Sequence, residues 1–294
     1  MSGSTEMGSV VRDKLRRLEG RLSSLGSVLV AYSGGVDSTF LAAAAHSVLG
    51  DAAVAATMDL AATPERFIDS AREFAHQIGI RHRVICCDQL AFPEFCRNSE
   101  RRCYHCKLAI MRRLVSIAAE LGLNGVVEGS NADDLSDYRP GLDAVRECGV
   151  LSPLLDLGWR KAEIREASRF LGLSTADLPS FSCLATRIPY GQEITSRKLV
   201  QVDAVERVLE QAGMLPVRAR HHGDLVRLEL ANREAAARLL AGDTIVSLIE
   251  AAKQAGFEYV TVDLEPYRAD RLSLTPDAHG TGTNHEDTGR GRTG

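Results

Sequence analysis

The stretch that decides the fold is SVLVAYSGGVDSTFLAAAAHSVLG, residues 27–50. It opens on a continuous apolar run, SVLVAY (27–32), the pattern of a strand buried on both faces of a parallel sheet. A loop with two glycines follows, then an alanine-rich helical segment closed by Gly50. Strand, glycine loop and helix in that order can cradle a phosphate. Gly34 and Gly35 let the backbone fold closely around an anion, and the loop amides and helix N-terminus point at it. Ser33 and Ser38 add hydroxyls. The lysine-bearing loop G-x-x-x-x-G-K-[ST] is excluded because its lysine is absent. Asp37 stands in the cradle instead, and a carboxylate beside phosphates makes sense if it helps hold Mg²⁺. The alternative is a plain glycine turn, and the full S-G-G-x-D-S string in this setting argues against it.

The pattern repeats on both sides. Residues 10–25 carry helical spacing through Val10, Leu15, Leu18, Leu22 and Leu25. Strands are predicted at 52–58, 81–87 and 124–130, with helices over 64–78, which has Pro64 near its start, and 107–121. Strands alternating with helices give an α/β fold with an open parallel sheet. Its ligands bind beyond the C-terminal strand ends. After about residue 190 the pattern changes. A helix is expected over 196–212, a hairpin over 216–230 turning at Gly223-Asp224, two helical stretches, and a strand over 258–264. The expected organisation is a flexible N-terminus (1–9), an α/β nucleotide domain (10–190), a smaller α+β domain for substrate or oligomer contacts (191–270) and a disordered polar tail (271–294).

Composition narrows the class. Of 294 residues, 45% are hydrophobic and 25% charged, as in an ordinary globular protein. A net charge of −4 provides no global field for a nucleic-acid backbone. No apolar run approaches the ~18–20 residues that span a bilayer, and the polar start MSGSTEMGSV lacks a signal-peptide core. A cytoplasmic protein with neither membrane nor nucleic-acid partner is expected.

Seven cysteines in a reducing compartment argue against structural disulfides. Cys86 and Cys87 lie in the apolar run RVICCDQL and are read as core thiols; Cys148 is given no role. Cys96, Cys103, Cys106 and Cys183 remain. Cys103 and Cys106 form a C-x-x-C pair in RRCYHCKLAI (101–110), which leaves a redox pair, part of a metal site or two inert thiols open. A zinc site would need more ligands, for which Cys96 or His105 is available.

Three further strings carry candidate chemistry. VVEGSNADDLSDYRPG (126–141) ends a strand at Glu128-Gly129 and then gathers Asp133, Asp134, Asp137 and Arg139. These acids could hold Mg²⁺ or ribose, or form a solvated turn. LPSFSCLATRIPYG (178–191) holds Cys183 and Arg187. In PVRARHHGD (216–224), Arg218 and Arg220 share one strand face, either as an anion fork or as the polar face of a sheet.

The loop SGGVDS resembles the PP-loop of ATP pyrophosphatases, which implies α–β cleavage of ATP with adenylation of a substrate oxygen. Taken with C-Y-x-C-K, EGSNADD, CLATRIPYG and VRARHHGDLVRLEL in this order, residues 10–270 resemble the LarE family. The resemblance implies an ATP-dependent sulfur transferase of nickel-pincer cofactor biosynthesis. Its substrate would be a pyridinium dicarboxylate mononucleotide, whose carboxylates become thiocarboxylates. It further implies that Ser33, Gly34, Gly35, Asp37 and Ser38 hold ATP and Mg²⁺ and that Gly129 lies by the nucleotide. Lys107, Glu206, Arg218 and Arg220 would belong to a substrate and phosphate pocket, with Arg187 beside them. A homo-oligomer is expected. The best-known branch sacrifices a cysteine at the position of Ser182 here, and serine cannot supply sulfur. Cys103, Cys106 and Cys183 instead look like the branch whose three cysteines hold a [4Fe–4S] cluster with one iron open. Sulfur donated by Cys183 itself is the competing mechanism. Outside the family, a tRNA-thiolating enzyme, an amide-forming ligase and a nucleotide-binding regulator are the rivals.

Overall fold

A computed structural model describes residues 7–135, 140–179 and 181–268. In chain order it contains α1 (Ser9–Leu25), β1 (Val28–Ala31), α2 (Val36–Leu49), β2 (Ala53–Asp59), α3 (Glu65–Ile78), β3 (Arg81–Cys86), α4 (Pro93–Cys96), α5 (Arg102–Glu120), β4 (Val126–Glu128), α6 (Gly141–Glu147), α7 (Pro153–Asp156) and α8 (Lys161–Phe170). Then come α9 (Ser196–Gln211), β5 (Val217–His222), β6 (Leu225–Leu230), α10 (Arg233–Ala241), α11 (Thr244–Ala255) and β7 (Tyr259–Val262). Asp137, Arg139 and the 271–294 tail, singled out in the sequence, lie outside the described residues.

The first sheet is parallel, in the order β3-β2-β1-β4. Strand alternation divides its side chains between two layers. Val28 and Val30 of β1 face α1, α2 and α8, where Leu18, Leu22, Phe40, Trp159 and Ile164 fill the core. Leu29 of β1, with Val54, Ala56 and Met58 of β2, faces Met111, Leu114 and Ile117 of α5. The fold is thus α/β, with helices covering both faces of the sheet. The second sheet, β5-β6-β7, is mixed: β5 and β6 form the predicted hairpin around Gly223-Asp224, and β7 lies parallel to β6. Its core is not made from the C-terminal segment alone, because Ala62, Phe95, Leu184 and Ile188 join Leu199, Val205 and Phe257 in one cluster. Among the described residues no helix is long and apolar enough to cross a membrane.

Several expectations need correction. Helix α5 begins at Arg102 rather than at 107, so Cys103 and Cys106 lie in its first turns, after a short helix and not after a strand. Val10 is exposed and Val11 takes the buried position. Cys86 is exposed rather than a core thiol, because β3 is the edge strand, and Cys87 is only partly buried.

Gly34 sits at φ +73°, and a Cβ there would lie 3.0 Å from the Ala71 backbone of α3. The loop therefore needs a glycine both for its left-handed backbone and for the close passage of a helix. Gly34→Ala is expected to cost about 1–3 kcal/mol, read as a lower denaturation midpoint. An unchanged midpoint would mean that the loop is not held in this conformation.

Candidate active site

Strand order 3-2-1-4 places β2 and β3 on one side of β1 and β4 on the other. The loops after β1 and β4 therefore part at a topological switch point, where open α/β sheets bind ligands. The loop after β1 is Ser33–Gly35. It is internally tied: Ser38 Oγ donates to the Gly35 carbonyl (3.1 Å), accepts from the Ser33 amide (3.2 Å) and lies 3.1 Å from Ser33 Oγ. From the loop after β4, Gly129 packs against the same turn, where a Cβ would lie 3.1 Å from the Ser38 nitrogen. Gly129 thus brings the two loops together.

Asp37, in the first turn of α2, forms an ion pair with Lys161 at the start of α8. Its Oδ1 is buried with no hydrogen-bond partner among the described residues. Burial raises the Asp37 pKa; Lys161 opposes the shift and the nearby Asp134 adds to it. Sequence reasoning does not pick out Lys161. A detectable signal is its place at a helix N-terminus, where the macrodipole disfavours a cation. Asp133 accepts from the Lys161 amide (2.8 Å) and Asp134 from the Asn131 amide (3.0 Å). At least part of the acidic turn is therefore built into the site.

Lys107, on α5, pairs with Glu128 at the end of β4 (3.3 Å). Glu128 is 3% exposed. Burial alone would raise its pKa, but Lys107 and hydrogen bonds from Ser152 and Ser130 together hold it below the ordinary glutamate value.

A cleft of about 400 Å³ lies over the phosphate loop. The phosphate loop, Asp37, Asp134, Lys161, Phe181, Ser182 and Cys183 all line it. Cys183 and Cys103 are exposed, while Cys106 is partly buried and packs against the second core. Gln89 donates to the Cys106 sulfur (3.1 Å). Burial pushes the Cys106 thiol up to about 12, with Cys183 and Cys103 both adding to the shift. The three cysteines are not gathered into a ligand set, however. Among the described residues no group of three or more His, Cys, Asp or Glu is arranged to hold a metal ion. The Cys106 sulfur is instead engaged by the Gln89 side chain. Cys96 donates to the Leu90 carbonyl (3.2 Å) instead of joining them.

Arg187 and Glu206 differ from expectation. Both are buried and form a two-pronged ion pair at 2.8 and 2.7 Å. The remaining guanidinium nitrogen of Arg187 donates to the Ser182 carbonyl (2.9 Å), Ser182 Oγ (2.8 Å) and Thr186 Oγ1 (2.8 Å), with the Cys183 carbonyl at 3.2 Å. Burial would lower the Arg187 pKa, but Glu206 outweighs it and the value is raised. Glu206 Oε1 also accepts from the Ala219 amide (2.8 Å). With these groups engaged, Arg187 acts as a clamp on the Cys183 turn and Glu206 as its counter-charge. Both side chains lie buried.

Arg218 and Arg220 are buried on β5 with separate partners. Arg220 donates to Glu229 (2.8 Å) and to the Thr186 carbonyl (2.8 Å). Arg218 stacks over Tyr267 (4.6 Å) and donates to its hydroxyl (3.2 Å) and to the Val217 carbonyl (2.7 Å). Burial and the neighbouring Arg187 lower the Arg218 pKa. The two arginines are therefore not an equivalent fork.

A glycine-serine loop at the switch point of a 3-2-1-4 parallel sheet, with an aspartate in the cradle and no P-loop lysine, defines a PP-loop protein. Over 265 residues the chain is 34% identical to the pyridinium-3,5-bisthiocarboxylic acid mononucleotide synthase of Lactiplantibacillus plantarum, a match covering 89% of this chain and 94% of that protein. The chain belongs to the LarE family. An uncharacterized protein of Synechocystis sp. is 39% identical over 90% of this chain and 98% of its own length. One component of the glutamine-hydrolyzing GMP synthase of Thermoplasma acidophilum is 25% identical over 71% of this chain and 70% of its own length. No family model matches the chain.

Proposed function

We propose that this chain is an ATP-dependent, AMP-forming sulfur transferase. It adenylates the carboxylates of a pyridinium dicarboxylate mononucleotide and converts them to thiocarboxylates in nickel-pincer cofactor biosynthesis. The observation that carries the reading is one cleft lined by both the phosphate loop and Cys183. A carboxylate oxygen attacks the α-phosphorus of ATP, the bond to the β-phosphate oxygen breaks, and pyrophosphate leaves. The acyl adenylate then accepts sulfur at carbon and AMP departs. Adenylation is needed because a carboxylate would otherwise have to expel oxide. The loop amides, Ser33 and Ser38 bind phosphate oxygens, and Lys161, in the same cleft, offsets charge that develops on the transferred phosphate.

The unmet Asp37 oxygen, with Asp134 beside it, fits Mg²⁺. When bound, the ion would offset phosphate charge. For sulfur, Cys103, Cys106 and Cys183 suit a [4Fe–4S] cluster in donor type, though not in closed geometry. Such a cluster, when bound, would offer an iron site able to carry extra sulfide. Sulfur given by Cys183 itself is the second reading, favoured by the exposure of that thiol in the cleft. Lys107, Arg218 and Arg220 are read as supports of the substrate pocket. The working form is read as a cytoplasmic homo-oligomer with contacts in residues 191–270, where Leu240, Val246 and Ile249 are exposed.

The test is incubation of anaerobically purified protein with the mononucleotide, ATP and Mg²⁺, followed by mass spectrometry and assays for AMP and pyrophosphate. Oxygen-for-sulfur exchange at the carboxylates, with AMP formed, is expected. Cys183→Ala should keep pyrophosphate release and lose exchange. AMP formation that depends on ammonia, without exchange, would overturn the reading in favour of an amide-forming ligase. Iron and acid-labile sulfide present in wild type and lost in Cys103→Ala would select the cluster. Their absence after reconstitution would select Cys183.

A further inference from the structure

The cleft lined by the phosphate loop and Cys183 also carries an aromatic pair that no step above uses. Phe67 of α3 and Phe181 stand with ring centroids 4.4 Å apart at 43°. Phe181 is 42% exposed and lines the cleft, two residues before Cys183. With Phe67 as its one ring neighbour among the described residues, Phe181 keeps part of its ring surface open in a cleft also lined by the phosphate loop and Cys183. The pair is also braced from behind. The Arg66 guanidinium lies 4.9 Å from the Phe67 ring centroid and is fixed by Glu210 (2.5 Å) and Asp203 (2.6 Å) of α9. Arg66 and Phe181 thus both pack on Phe67, and both rings line the cleft.

We infer that Phe181, braced by Phe67, is the stacking platform for the electron-poor ring of the substrate. The inference rests on the proposed function and deepens it. The ring whose carboxylate receives sulfur must come within reach of Cys183, and Phe181 is the aromatic side chain nearest to it in the chain. The adenine of an acyl adenylate is separated from the reacting carbon by ribose and phosphate, so its base does not have to approach Cys183. A pyridinium ring is both planar and cationic, and the face of a phenyl ring attracts such a group by stacking and by its quadrupole.

The experiment compares wild type, Phe181→Leu and Phe181→Trp, with pyridinium-3,5-dicarboxylic acid mononucleotide and ATP titrated separately. Phe181→Leu keeps apolar bulk but removes the ring face. It should weaken mononucleotide binding on the order of ten-fold while ATP binding stays within about two-fold. Phe181→Trp should retain binding. Its indole gives a second readout: the sole native tryptophan, Trp159, is buried, so the added fluorescence should be quenched when the pyridinium ring stacks on it. This signal also tests the idea if Phe181→Leu fails to fold. Weakened ATP binding with unchanged mononucleotide binding would assign the platform to adenine and overturn the inference. So would a Phe181→Leu variant that binds both normally, or an unquenched indole in Phe181→Trp. If wild type binds no mononucleotide at all, it is the proposed function that fails.

Discussion

Asp37→Asn is expected to lower pyrophosphate release from ATP by about 10²–10³-fold, the range found when a preorganised electrostatic group is removed from an active site. The fold should tolerate the change and even gain from it. Asp37 has one oxygen paired with Lys161 and one buried without a partner among the described residues. Burial raises its pKa in the folded chain, with Asp134 adding to the shift against Lys161. A carboxylate raised in this way favours the protonated folded state. Its ionisation therefore lowers stability as pH rises from the ordinary aspartate range through the folded value. Asparagine removes that loss, so at neutral pH the variant should melt no lower than wild type while losing turnover. A site strained for function commonly behaves this way. Near-wild-type pyrophosphate release in Asp37→Asn would remove the phosphate-loop assignment. A collapse in melting temperature would show that the Lys161 pair is a structural bond and not a prepared cation site.

Arg187→Met should be the most destabilising single change. It strands Glu206, which is 1% exposed, and leaves it the Ala219 amide as a donor. Removing one partner of a buried ion pair costs about 3–5 kcal/mol, a fall in melting temperature on the order of 10 °C for a chain of this size. Arg187→Met with Glu206→Leu removes both charges and should recover much of the stability. Sulfur transfer should not recover with it, because Arg187 also holds Ser182, Cys183 and Thr186 in their turn. ATP binding at the phosphate loop, which Arg187 does not hold, should survive in the double variant. Equal melting of wild type and Arg187→Met would show that the pair is not closed in solution. Full recovery of sulfur transfer in the double variant would reduce Arg187 to a stability element.

The phosphate loop and the parallel sheet are legible in the amino-acid sequence because both are local. Val28–Ala31 needs only its own apolar run to declare a buried strand, and Gly34 only its place between strand and helix to declare the turn. The β5–β6 hairpin is equally readable from Gly223-Asp224 between two alternating runs. The start of α5 is less clear, since Arg102–Lys107 carries no capping signal and a polar first turn. What required the tertiary structure were the partners of the charged and reactive groups. Lys161 meets Asp37 from 124 residues away, Arg187 meets Glu206 from 19, and Phe181 meets Phe67 in the wall of the cleft. Arg187 reads as an open catalytic cation in the sequence because a charge shows its type there but not its counter-charge. Periodicity and turn chemistry act over a few residues, whereas burial and Coulomb attraction depend on distances that the chain sets only after it has folded.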